Sequence, residues 1–274
     1  MYRKLFVGIM SCMGIAACSP NNVTDDSKLN TYFEQQKLSG SFGMFDNGAG
    51  QFFVHHLDRF KDSAYQPGFT FSILSSLIAI ETGRIRDEKV MLPLIAASSS
   101  DTSQSANAEC NMIQAFKQHT NEYFHVVNNA IGKDTMQHWL DTLGYGSLVN
   151  KYKIIDLQKF WMDNSLKVTA DEQLGLMKKL YFKQLPFQQR CQTIVKEQLS
   201  QEANSNYSIS YINSNSIAAN NKYYNWIAGW IEENKHPYFF VLHTDANTAA
   251  NLSESSKKLL YDILKHYGFF EGKR

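Results

Sequence analysis

The 274-residue sequence predicts an α+β fold: an antiparallel β-sheet flanked by helices, plus a helical lobe. Three observations carry that expectation. Near the start, Gly40–Phe45 and Gln51–Leu57 read as two strands joined at Asp46-Asn47-Gly48, where Asn-Gly supplies the positive-φ positions of a tight hairpin. The C-terminal third is rich in aromatic and β-branched residues over Tyr207–Ile212, Tyr223–Glu232 and Tyr238–Thr244. Between these regions the apolar residues recur at helical spacing. Strands at both ends with helices between them place one sheet beneath its last helix and leave the middle of the chain to form a second lobe.

In chain order, Arg3 and Lys4 precede a short apolar run over residues 5–17, too short for a permanent span and suited to a secretory signal peptide over residues 1–17. Ile15-Ala16-Ala17-Cys18 then resembles the lipobox of bacterial lipoproteins, which makes Cys18 the expected lipidation site. Each buried CH₂ of an acyl chain contributes about 0.8 kcal/mol, so a multiply acylated cysteine anchors stably. Ser19 rather than aspartate follows it, which favours the outer membrane, facing the periplasm. Residues 18–30 read as a polar tether and 31–274 as the folded domain. His55 and His56 end the hairpin; neighbouring strand residues point to opposite faces, so packing or solvation is expected of them rather than a metal pair.

Tyr65–Ile85 becomes almost continuously apolar after Gly68 and stops at Gly83, as a helix buried on most sides does. Residues 98–109 are small and polar, a surface loop. Met112, Ile113, Phe116, Tyr123, Phe124, Val127 and Ile131 keep helical spacing with a break at His119-Thr120-Asn121. A further helix carries Met136, Trp139, Leu140 and Leu143 and ends in the turn Gly144-Tyr145-Gly146. Thr169-Ala170-Asp171-Glu172 is a capping box opening the next helix, and Gln188–Leu199 forms another. Asn213–Lys222 reads as a polar loop, Glu233–Pro237 as a turn, and Ser253 as the cap of a final amphipathic helix.

A net charge of +1 with no basic patch excludes a nucleic-acid partner, and aromatic residues at 13% suffice for a sizeable core. No Cys/His spacing suits zinc, and neither a metal nor a cofactor is expected. Once Cys12 leaves with the signal and Cys18 is lipidated, Cys110 and Cys191 remain, and whether they pair is open.

Residues 67–83 closely resemble the active-site helix of class D (OXA-type) serine β-lactamases, within the penicillin-binding transpeptidase-like fold. Pro67, Thr70, Phe71, Ile73, Ser76, Leu77, Ile78, Glu81, Thr82 and Gly83 fit the family frame P-x-S-T-F-K-I-x-x-S-L-I-x-L-E-T-G. Phe160-Trp161, Leu166–Thr169, Glu172-Gln173 and the strand Trp226–Trp230 extend the likeness over most of residues 40–265. The reactive positions depart from it. Phe69 stands where the family has its nucleophilic serine and Ser72 where it has its general-base lysine. His119-Thr120-Asn121 occupies the S-x-V position, Tyr145-Gly146-Ser147 the Y-G-N position, and Ile212-Asn213-Ser214 the K-T-G position. Trp161 belongs by resemblance to the shell around the family's carbamylated lysine, which makes Phe69, Ser72, His119 and Trp161 the expected pocket.

Losing nucleophile or base alone lowers turnover about a million-fold in a serine hydrolase. The expectation is therefore a catalytically degenerate relative that binds or scaffolds, tied to the membrane by its lipid and facing peptidoglycan or an envelope protein. The alternatives are a hydrolase (residual β-lactamase or esterase) with Ser72 as nucleophile and His119 as base, oriented by Asn121 or Glu122, and a non-covalent sensor of β-lactams or peptidoglycan fragments. Ser255-Ser256-Lys257-Lys258 is the one S-x-x-K spacing in the chain, placed on the exposed end of the last helix.

Overall fold

The computed structural model describes residues 22–94, 108–146, 152–217 and 222–273. The signal sequence, the lipobox with Cys18, Ser147 and most of the 98–109 loop lie outside them. A mixed seven-stranded sheet organises the chain. Its strands are β1 (Val23–Asp25), β2 (Ser39–Asp46), β3 (Gln51–His55), β8 (Ser200–Ala203), β9 (Tyr207–Ile217), β10 (Tyr223–Glu233) and β11 (His236–Ala246). Across the sheet they run β1-β3-β2-β11-β10-β9-β8. Every pairing is antiparallel except β1 on β3. Four short strands form two separate ribbons, β4 (Ala64–Tyr65) with β7 (Val168–Thr169) and β5 (Leu92–Pro93) with β6 (Glu109–Cys110).

Both faces of the sheet are covered, so the central strands are apolar on both sides. On β10, Trp226, Ala228 and Trp230 face one core while Ile227 and Ile231 face the other. The second, smaller core lies under α1 (Asn30–Gln36) and α9 (Leu252–His266), with Phe33, Leu259, Leu260, Ile263 and Leu264 buried in it. The larger core holds the helical lobe: α2 (Leu57–Asp62), α3 (Ser72–Glu81), α4 (Met112–Gln118), α5 (Asn121–Ile131), α6 (Lys133–Leu143), α7 (Ala170–Tyr181) and α8 (Gln189–Glu197).

The expected α3 is present and buried from Ser72 to Ile80. Gly83 ends it at φ +68°, a left-handed conformation that lets the Arg84 amide reach back to the Ala79 carbonyl at 2.8 Å. The capping box opens α7 with both reciprocal bonds, the Glu172 amide to Thr169 Oγ1 at 3.1 Å and the Thr169 amide to Glu172 Oε2 at 2.9 Å. The break at His119 is a helix end: His119 takes φ +55° and α5 restarts at Asn121. Asn234 and Lys235 both have positive φ, forming the two-residue turn between β10 and β11.

Several expectations need correction. Residues 22–30, read within a tether, belong to the fold: Val23–Asp25 pairs in parallel with β3, and Ser27–Leu29 forms a 3-10 turn that buries Leu29. β3 stops at His55, not Leu57, because His56 adopts φ +58° and leads into α2. That left-handed residue breaks the alternation, so the two histidine rings stack at 4.0 Å instead of facing opposite sides. Asn213–Ile217 is strand, not loop. Its polar side chains are held across the strands, with Asn225 Nδ2 donating to the Oδ1 atoms of Asn213 and Asn215 at 2.6 Å each. The cap of α9 is Asn251 in the left-handed region, and Ser253 lies inside the helix, accepting from Asn213 Nδ2 at 2.8 Å. Cys110 and Cys191 are buried and free; they do not form a disulfide.

Candidate functional site

A 3-10 turn over Gly68–Phe71 feeds α3 and packs against β9. Gly68 sits at φ +53°, and a Cβ there would stand 2.8 Å from Ser214 Oγ, so glycine alone permits this approach of backbone to strand. The next amide closes the gap: Phe69 N–H donates to Ser214 Oγ at 2.7 Å in a buried setting. Ser214 occupies the position at which the class D pattern has glycine. Its hydroxyl therefore takes up a backbone donor that a glycine would leave unmatched.

The Phe69 ring is 5% exposed and lies in an aromatic cluster. Phe124 meets it edge-on at 5.4 Å, Phe116 at 6.2 Å, and His119 covers it at 5.0 Å. Phe116 and Phe124 are buried on α4 and α5, so the left-handed turn at His119 folds two helices around this one side chain. His119 as a residue is exposed, although its ring packs on Phe69. Desolvation of its ring lowers the imidazole pKa, an effect partly offset by a hydrogen bond to the Asn213 backbone.

Ser72 and His119 are not joined. Ser72 is fully buried, and its Oγ has no hydrogen-bond partner among the described residues. The nucleophile–base pair of the alternative reading is thus not formed: the His119 ring packs on Phe69 and Ser72 Oγ has no partner among the described residues. Asn121 does not orient that imidazole either, since its Oδ1 is buried without a partner. Trp161 is fully buried, stacked with Phe71 at 6.2 Å and tilted to His125 at 5.5 Å, and its Nε1 is also unpartnered. Tyr145 is buried near Phe71 at 6.2 Å, and burial drives its phenol far above the ordinary range. As expected, it lies in a helix-ending turn, between Gly144 at φ +63° and Gly146 at φ +75°.

Strand alternation puts Ile212 and Ser214 of the K-T-G position on one face of the sheet and Asn213 on the other. Ile212 enters the large core, Asn213 turns to α9, and Ser214 faces Phe69. Beneath the turn, Thr70 Oγ1 donates to the Pro67 carbonyl at 2.8 Å and accepts from Gln173 Nε2 at 2.8 Å. The Ser255–Lys258 spacing brings no chemistry together: the neighbouring Ser256 is buried against Thr244 Oγ1 at 2.6 Å, and Lys258 pairs with Asp262. Residue types alone gave no sign of the parts played by Phe116, Phe124 and Gln173. Only the register of β9 against the turn reveals Ser214 as the acceptor.

Acyl transfer by a serine enzyme requires a hydroxyl, a base that removes its proton, and donors aimed at the developing oxyanion. Here the turn presents a phenyl ring, a hydroxyl without a base, and an amide already bonded within the protein.

Comparisons with known proteins agree with the architecture. The penicillin binding protein transpeptidase domain family matches residues 42–265. The chain is 28% identical over 228 residues, 83% of each protein, to β-lactamase OXA-48 of Klebsiella pneumoniae. It superposes with a TM-score of 0.78 and 26% identity on a class D β-lactamase YbXI from Nostoc, covering 88% of this chain and 98% of that one. The C-terminal domain of the Bacillus licheniformis BlaR penicillin receptor shares the fold, with a TM-score of 0.79 at 22% identity over 90% of this chain and 96% of that one. On the match over most of its length and the fold that carries it, this chain belongs to the penicillin-binding protein transpeptidase domain family and has a class D β-lactamase fold.

Proposed function

We propose that the chain is a catalytically silent class D-like protein of the cell envelope, with a binding or scaffolding role. The observation that carries this reading is the buried bond from the Phe69 amide to Ser214 Oγ beneath a packed Phe69 ring. The residue in the nucleophile's place has no oxygen to acylate, and its amide is engaged. The alternative use of Ser72 with His119 lacks the hydrogen bond that proton transfer requires. Intact-mass spectrometry after incubation with penicillin is expected to show no adduct, and nitrocefin no turnover. A stoichiometric acyl adduct on Ser72 would refute the reading.

The lipobox at Ile15–Cys18 supports an acylated anchor on the outer membrane, with peptidoglycan or an envelope protein as partner. Cys18→Ser is expected to move the protein from the membrane fraction to the soluble periplasm or to leave it unprocessed. Retained lipid labelling and membrane association of that variant would reject the anchor.

A further inference from the structure

Away from the Phe69 turn, Ser41 on β2 and His243 on β11 stand directly opposite each other, so their side chains share one face of the sheet. It is the face of the larger core, where Tyr65 stacks on His243 at 3.8 Å and Trp226 packs against it at 4.3 Å. Both residues are fully buried. Neither the Ser41 hydroxyl nor either ring nitrogen of His243 has a hydrogen-bond partner among the described residues.

Two residues along the same strands, Ser39 opposes Asp245 on that same face. Arg59 of α2 ties this rung together. One terminal nitrogen donates to Ser39 Oγ at 3.0 Å, and the other pairs with Asp245. Its remaining N–H, at Nε, is buried and also unpartnered among the described residues. The guanidinium lies close enough to His243 to act on it: burial first, then Arg59, holds the imidazole well below its ordinary pKa range.

Three neighbouring residues thus carry buried polar atoms that the surrounding chain leaves unmatched, and each such atom costs at least as much as a lost hydrogen bond. Their chemistry limits what can match them. Arg59 Nε only donates, a neutral imidazole has one donor and one lone pair, and a hydroxyl does either. A cation is disfavoured by the guanidinium N–H. A halide could accept from Arg59 and Ser41, but it has no hydrogen to give the imidazole lone pair, and the Arg59 charge is already met by Asp245. Water both accepts and donates, and a buried water typically makes about three hydrogen bonds.

We infer that a buried water molecule joins Ser41 Oγ, Arg59 Nε and one ring nitrogen of His243. It accepts from Arg59, donates to the imidazole lone pair and takes Ser41 as its third partner. The water fixes the neutral imidazole in a single tautomer and completes the contact that ties α2 to β2 and β11.

A crystal structure of the intact protein that resolves ordered solvent tests this directly. A density peak within hydrogen-bond distance of all three atoms is expected. Oxygen-17 magnetic relaxation dispersion counts long-lived internal waters in solution. That count is expected to fall by one in His243→Phe, which keeps an aromatic ring and removes both nitrogens. In Ser41→Ala the same water loses one of its three partners and is expected to exchange faster. Near-UV circular dichroism verifies the fold of each variant; if His243→Phe does not fold, Ser41→Ala and the parent crystal carry the test. A direct bond between Ser41 Oγ and His243 with no solvent peak between them would overturn the inference. So would a water count and exchange rate that neither variant changes.

Discussion

Replacing Phe69 with alanine is expected to lower stability by about 3–5 kcal/mol, the usual cost of removing a buried phenylalanine. The ring is nearly inaccessible and touches three other rings, two of them buried on separate helices, so little collapse can fill the space. The double variant Phe69→Ser with Ser72→Lys restores two family residues and is expected to be less stable still. It adds an ammonium group at a fully buried position where no partner awaits it. Urea unfolding and nitrocefin hydrolysis on one preparation measure both consequences. Stability equal to the parent would show that the ring is not packed, and robust hydrolysis would show that the rest of the site is intact.

The second large effect is acid sensitivity. His55 is buried against Phe33 at 4.5 Å, and burial first, then the neighbouring His56, lowers its pKa to about 4 from an ordinary 6.5. Burial, reinforced by Arg59, also holds the His243 imidazole well below its ordinary range. In both cases the folded pKa is depressed, so the unfolded chain binds protons first as pH falls. The neutral rings therefore cost nothing above about pH 6.5, and stability drops as pH falls from there through the folded values. For His55 alone the loss by about pH 4 is on the order of 3 kcal/mol. Urea midpoints measured between pH 7.5 and 4.5 should fall, and His55→Phe should flatten part of that fall. A midpoint independent of pH across this range would contradict the burial of both rings.

Much of the fold was legible because it depends on local chemistry. The run from Ile73 to Ile80 allows little but a buried helix, Gly83 is needed where φ turns positive, and Thr169 with Glu172 completes a cap from side chains three residues apart. What escaped the sequence depends on distant partners. Asn213–Ile217 has the composition of a loop and becomes strand because Asn225 pairs its amides from the neighbouring chain segment. His56 reads as the end of a strand, and only its left-handed backbone turns two rings into a stack. At the site, the substitutions at residues 69 and 72 were plain in the sequence, whereas the bond from residue 69 to residue 214 spans 145 positions and needs the sheet register to be seen.

That bond also bears on how readily the site can change back. A serine placed at 69 inherits an amide already committed to Ser214 and leaves empty the space that the phenyl ring fills among Phe116, Phe124 and His119. A glycine placed at 214 releases the amide but leaves the phenyl ring above it. A lysine placed at 72 arrives before anything can stabilise its charge. Each single step toward the family pattern thus meets a neighbour fitted to the present arrangement, and the benefit of any one depends on the others already being made. On the proposed reading, the contact between these two residues disfavours stepwise change toward the family pattern.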